Sequence, residues 1–354
     1  MKILYVTKDS PPPRRIWTAD FGEALTHEGF EVENLATEGI AKEDFLTILR
    51  GREVVLTSWG SPMLPAELAA DPGCLRYFCH ITGAVRDYPE EILDSPVAVT
   101  NRGGSAGPSV AEGTPALLLA CLKNLRAQIE DKLDGKWVCD GAGSSGSLRV
   151  PQARPLWIRP HRPTFHRYVQ PLGPDIRIYD PYSAGIPSDC RRVSSLRELF
   201  ADSEAVVIFA ALTEETRGSV DCGVLALLPD HAVIVNTARG DIINQDDLFA
   251  ELAAGRLRAG LDVLAGPDCL EPGHPAIGFK NPILTSHRVG DSSWQTPISS
   301  DSKRLQFYRK TCIENLIRHR EGKPLEHVTT RERYARMTWR RDGRLSRGTR
   351  AEFR

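Results

Sequence analysis

The sequence predicts an α/β protein of two domains, each built on a parallel sheet, with a cleft between them. Three observations predict it. Short β-branched runs alternate with helical spacing up to about residue 100, and the alternation resumes from Asp175. A chain of 354 residues also exceeds what one small core needs.

Each element has a local reason. Lys2 to Val6 is a strand, and Trp17 to His27 carries helical spacing. Glu53 to Thr57 (EVVLT) reads as a buried strand ending in the polar turn SWGSP; Leu75 to Cys79 and Val97 to Thr100 are further strands. A glycine-rich loop, Asn101 to Ser109, leads into an apolar helix from Val110 to Leu125, with Pro115 placed in its first turns. DIRIYD, AVVIFAAL and AVIVNTARG follow as strands, then a helix from Gln245 to Arg256, the strands LRAGLDVL and NPILTSH, and a closing helix from Lys303 to Arg318.

Composition narrows the function classes. A net charge of −1 supplies no field to draw in nucleic acid or an anionic membrane, so neither partner is expected. The start, MKILYVTKDS, has too short an apolar run for a signal peptide or a membrane span, and a cytoplasmic location is expected. The eight cysteines are scattered without a C-x-x-C pair. They read as free, mostly buried thiols, and no metal site is expected. The tail from Arg331 holds nine arginines in twenty-four residues and reads as a basic, disordered extension.

Three polar anchors fall in a telling order: Arg239 in NTARGD, an acid in the stretch after LDV, and His287 in LTSHRVG. Each sits at the C-terminal end of a predicted strand, where ligands bind in open α/β sheets. Oxidising a 2-hydroxy acid requires a proton acceptor at the hydroxyl, which suits an imidazole. A neighbouring carboxylate would orient that ring, and a guanidinium would hold the substrate carboxylate.

On these residues the chain resembles the D-isomer-specific 2-hydroxyacid dehydrogenase family (phosphoglycerate dehydrogenase-like), from about residue 50 to about 338. The most specific match is ALTEETRGSVDCGVLALLPDHAVIVNTARGDIINQDDL, residues 211–248. LTSWGSP, the VAE that opens the long helix, GLDV, ILTSH and ENLIRHREGKPL support it. The resemblance implies two Rossmann-like or flavodoxin-like domains: a discontinuous substrate domain over 1–100 and 296–330, and an NAD-binding domain over 101–295, irregular at 148–172. It implies a homodimer that interconverts a small D-2-hydroxy acid and its 2-keto acid. Catalysis would rest on Arg239 and His287, with Asp268 assisting the histidine and Glu271 as the alternative acid. Asp180, Thr237, Ala238, Arg239, Asp262 and Gly290 would bind NAD. Thr82, Gly83 and Ala84, with Arg239, would bind the substrate carboxylate. Two alternatives stand beside this reading: an NAD-sensing, corepressor-like binding protein, and a catalytically impaired homologue.

The pattern breaks at the phosphate-binding loop. The literal G-x-G-x-x-G, Gly141 to Gly146, lies too far before Asp180 and is followed by Pro151 and Pro155, so it reads as a decoy. The expected place holds Trp157-Ile158-Arg159-Pro160-His161-Arg162-Pro163 instead, whose prolines remove amide donors. Codons read one nucleotide later permit G-F-G-H-I-G-R over those positions. This points to a local frameshift across roughly Leu148 to Gln170, with the frame restored by Pro171 or Leu172.

Overall fold

The computed structural model describes residues 1–8, 16–86, 88–104, 107–137, 146–148, 162–183, 185–201, 203–266, 270–290, 307–335 and 337. The chain divides into two compact units, one of Met1–Ala106 with Ser292–Gly343 and one built on Gly107–Asp291.

In the first unit, β1 (Lys2–Thr7) buries every residue after Lys2, as a strand covered on both faces must. α1 (Ala19–His27) starts where the Thr18 hydroxyl accepts from the Phe21 amide, and it buries Phe21 and Leu25 one turn apart. β2 (Glu31–Ala36) lies at the sheet edge, and its mostly exposed EVENLA carries no apolar run by which the sequence could announce it. α2 (Lys42–Arg50) buries only Phe45 and Leu49, too sparse a stripe to stand out. β3 (Val54–Thr57), the single turn α3 (Glu67–Ala70), β4 (Tyr77–His80) and β5 (Ala98–Asn101) complete the series. The strands form one parallel sheet in the order β2-β1-β3-β4-β5. Thr57 pairs with His80 and His80 with Asn101, so three strand ends lie level.

The second unit opens with α4 (Gly107–Leu122), which begins earlier than its sequence suggests and so carries Pro115 in its third turn rather than its first. The helix does not run on to residue 125 unbroken: Asn124 adopts φ +50°, and α5 (Leu125–Leu133) is separate. α6 (Arg162–Val169) lies inside the stretch expected to be irregular. Its reason is plain, since Phe165 and Val169 sit one turn apart, both buried in the core shared with α4. β6 (Ile176–Ile178), β7 (Cys190–Arg192), α7 (Leu196–Phe200), β8 (Ala205–Ile208), the short α8 (Cys222–Leu225), β9 (Val233–Asn236), α9 (Gln245–Ala253), β10 (Arg258–Leu261) and β11 (Pro282–Leu284) follow. β8 to β11 form a parallel sheet in the order β11-β10-β9-β8, while β6 and β7 form a separate parallel pair. Alternate residues feed two cores: Val206, Ile208 and Ile234 one, Ala205, Val207, Val233 and Val235 the other.

The chain then returns to the first unit with α10 (Phe307–Arg320), which buries Cys312, Ile313 and Leu316 against β3 and β4. α11 (Arg331–Ala335) corrects the expectation of disorder from residue 331. Tyr334 is buried, donates to the Tyr88 carbonyl at 2.9 Å and lies under the Arg86 guanidinium. Residues 338–354 lie outside the described residues. No helix among the described residues is long and apolar enough to cross a membrane.

The cysteine expectation needs adjusting too. Of the six described, Cys79, Cys121 and Cys312 are buried, whereas Cys74 and Cys222 are exposed and Cys190 half-exposed.

Candidate active site

In the second unit, Asn236 pairs with Leu261 and Leu261 with Leu284, so β9, β10 and β11 end level. The segments Thr237–Arg239, Asp262–Val263 and Thr285–His287 leave the sheet side by side. Neighbouring strands lie about 4.8 Å apart, which puts the Arg239 and His287 segments roughly 10 Å from each other along one sheet edge.

Each turn there has its own brace. Asn236, almost wholly buried, accepts from the Ala238 amide at 3.0 Å and donates to the Arg239 carbonyl at 2.9 Å. It thereby shapes the turn that carries the half-buried Arg239, whose guanidinium donates to the Ala238 carbonyl. Thr237 is buried and hydrogen-bonds Thr114 of α4 across 3.2 Å. Gly240 lets the turn continue: a Cβ there would fall 1.8 Å from the Leu264 carbonyl carbon.

Asp262 organises the histidine turn. Its buried Oδ1 accepts from the Thr285 hydroxyl at 2.6 Å, the Arg288 amide at 2.7 Å and the Val289 amide at 2.8 Å, and its carbonyl accepts from the His287 amide. Ser286 and His287 both adopt positive φ, at 51° and 58°. Two successive side-chain-bearing residues in the left-handed region hold together only because these bonds over-determine the turn. His287 is exposed.

The remaining expected residues divide. Asp180 is buried after β6, where its Oδ1 accepts from the Tyr182 and Ser183 amides at 3.0 and 3.1 Å. Gly290 presses on α4, for a Cβ there would lie 2.5 Å from Val110 Cγ2. Glu271 is exposed, and its carbonyl accepts from the His274 amide. Asp268 lies outside the described residues. In the first unit, Thr82, Gly83 and Ala84 follow β4. His80, buried between Thr57 and Thr82, hydrogen-bonds both hydroxyls at 2.9 and 2.8 Å, and Asn101 donates to the Gly83 carbonyl. Arg102 comes within 3.8 Å of the point a Gly83 Cβ would occupy, and its guanidinium lies 5.6 Å from the Trp59 ring.

Asn236, Thr285, His80 and Arg102 are therefore positioning or flanking residues that the sequence reading leaves out. NTARG and LTSH did hold a signal for the first two, a polar residue at a strand end. Away from this edge, His166, Asp189 and Cys190 bring ligand-type atoms within 4.8 Å of one another, and His166 pairs with Asp189 at 2.9 Å.

A parallel α/β unit with an arginine and a histidine following strands that flank a third has the form of a nucleotide fold with a polar site at the carboxyl edge of the sheet. Residues 164–288 match the family described as D-isomer specific 2-hydroxyacid dehydrogenase, NAD binding domain. Residues 164–288 of the second unit are thus similar to the NAD-binding domain of that family. The chain is 28% identical over 225 residues to glyoxylate reductase/hydroxypyruvate reductase of Mus musculus, covering 58% of this chain and 64% of that one. It is 28% identical over 206 residues to hydroxypyruvate reductase of Thermotoga maritima, covering 58% and 66%. The match thus spans less than two thirds of either relative. The fold is that of D-2-hydroxyisocaproate dehydrogenase, with a TM-score of 0.73 at 16% identity over 93% of this chain and all of the other.

The family's cofactor fits these residues only in part. Asp180 lies two residues after β6, and Thr237 with Ala238 and Asp262 directly follow β9 and β10. Among the described residues, however, no glycine-rich turn joins a strand to a helix N-terminus to receive a pyrophosphate.

Proposed function

We propose that the chain is built as a dehydrogenase of a small D-2-hydroxy acid, using NAD, and that Arg239 and His287 are its reacting-end residues. The level ending of β9, β10 and β11 carries this reading, because it sets a guanidinium and an imidazole along one sheet edge. In this reading Arg239 grips the substrate carboxylate with its planar fork. His287 exchanges a proton with the substrate oxygen at C2. An acid, Asp268 or Glu271, favours the imidazolium form. Asp180 would accept the ribose hydroxyls and disfavour a 2′-phosphate, which supports NAD over NADP. Homodimeric assembly and a cytoplasmic location are inferred from the family and the sequence.

The test is reduction of a panel of 2-keto acids, including glyoxylate and hydroxypyruvate, at millimolar NADH. His287→Ala is expected to lower kcat by at least about 100-fold with substrate binding retained. Arg239→Ala should raise KM as well as lower kcat, because a carboxylate contact is lost. If His287→Ala keeps full activity, the reading is wrong.

A further inference from the structure

His166, Asp189 and Cys190 bring three different donors together: an imidazole nitrogen, a carboxylate oxygen and a thiol sulfur, all within 4.8 Å of one another. The histidine stands 23 residues before the aspartate. That is too far for a reading that looks for ligands at short spacing.

The fold explains why they meet. Ile176 of β6 pairs with Cys190 of β7, and paired residues on neighbouring strands share a face. Ile176 is buried in one core with Phe165 and Val169 of α6, and Cys190 packs against that core. The thiol therefore lies on the α6 side of the pair, and His166 follows Phe165 on that helix. Asp189 ends the turn that the Cys190 amide closes on the Pro187 carbonyl at 3.0 Å. Imidazole Nε2 and Asp189 Oδ2 lie 2.9 Å apart, and Cys190 Sγ lies 3.9 Å from Asp189 Oδ1. Arg177 and Arg191, the next pair in the register, project from the opposite face.

An exposed histidine–carboxylate pair alone would need no further account, since such pairs contribute little. The third donor changes the chemistry. Zinc bonds of about 2.0–2.3 Å in a tetrahedron set ligand atoms about 3.3–3.6 Å apart. The three donors reach that spacing by side-chain rotations of about 1 Å. Thiolate and imidazole together suit zinc, whereas magnesium and calcium prefer oxygen alone. A thiolate and a carboxylate would also balance the charge of the divalent ion. The place gives the ion a role, because β6 and β7 form a separate pair among the described residues and two strands alone are marginal in water. An ion here would fasten that pair to α6. Cys190 stands level with the first residue of β6, and Asp180 follows the last, so roughly 10 Å of strand separates this cluster from the expected ribose acid.

We propose that His166, Asp189 and Cys190 form a structural zinc site, with water as the fourth ligand, that ties α6 to β7. Binding releases the Cys190 thiol proton to solvent and leaves the thiolate on the metal. The site is independent of the dehydrogenase reading, and its tests need no turnover.

The first test titrates the full chain with Co²⁺, a coloured stand-in for zinc, and follows the thiolate-to-cobalt charge-transfer absorption. A Cys74→Ser/Cys222→Ser background removes the two exposed thiols that could bind cobalt elsewhere. One equivalent should bind in that background, and one equivalent of Zn²⁺ should displace it. Cys190→Ser is expected to abolish the band. His166→Gln should weaken binding at least about 100-fold, since even outer-shell partners of a metal are worth 10–100-fold. No band, or a band that survives Cys190→Ser, overturns the proposal. The second test needs no substitution: Zn²⁺ should block maleimide labelling of Cys190 in the unaltered chain and leave Cys74 and Cys222 reactive. Equal labelling of Cys190 with and without zinc, or equal protection of all three, would show that no site is built here.

Discussion

At the scale of single residues, Asp262 holds the histidine turn more than any other group. Its one carboxylate oxygen receives a hydroxyl and two amides from the segment that carries His287. Removing it strands three donors beside a buried void, each worth about 1 kcal/mol net. Asp262→Ala is expected to cost about 3 kcal/mol in urea unfolding and Asp262→Asn about half of that, because an amide oxygen still accepts but without charge. The same turn holds Ser286 and His287 at positive φ, so its loosening should also lower kcat in keto-acid reduction. If Asp262→Ala unfolds at the wild-type urea concentration, the carboxylate does not hold the turn.

At the scale of elements, the seat of that turn is a helix surface stripped of side chains. A Cβ on Gly113 of α4 would lie 2.1 Å from the Val289 carbonyl oxygen, and one on Gly290 would lie 2.5 Å from Val110 Cγ2. The two contacts differ in kind, since a valine methyl can rotate away while a backbone carbonyl cannot. Gly113→Ala should therefore cost more, about 3 kcal/mol, and Gly290→Ala about 1 kcal/mol. Thermal unfolding of the two variants checks the order; equal losses would show that the backbone contact yields as easily as the side chain.

Such close approaches are invisible to pattern reading, because glycine carries no periodicity. What could be read were the elements with dense apolar runs: VVLT, AVVI and VIVN stand where the sequence puts them, and α4 does so apart from its two ends. What could not be read were the edge strand EVENLA and the sparse α2, which bury too little to mark themselves. The positions of Arg239 and His287 just after strands were legible, because the apolar runs before them mark where the sheet ends. Asn236 and His80 were not, because their work is done through hydrogen bonds between segments far apart in sequence or folded back on themselves.

At the scale of the whole molecule, the two units should differ in stability. Among the described residues, the first has a five-stranded sheet, whereas the second has a four-stranded sheet and a separate pair. Two strands alone are marginal in water, so the smaller sheets of the second unit should open first. Three buried thiols report on this. Cys79 and Cys312 lie in the first unit with their sulfurs 3.8 Å apart, and Cys121 lies in α4 of the second. Burial pushes the Cys121 thiol up to about 12, so it forms almost no thiolate at pH 8 until its surroundings open. Maleimide labelling across a urea series, read by peptide mapping, should therefore modify Cys74 and Cys222 at once. Cys121 should follow at a lower urea concentration than Cys79 and Cys312. If all three buried thiols label at one midpoint, the units unfold as a single cooperative body and the difference between their sheets carries no energetic weight.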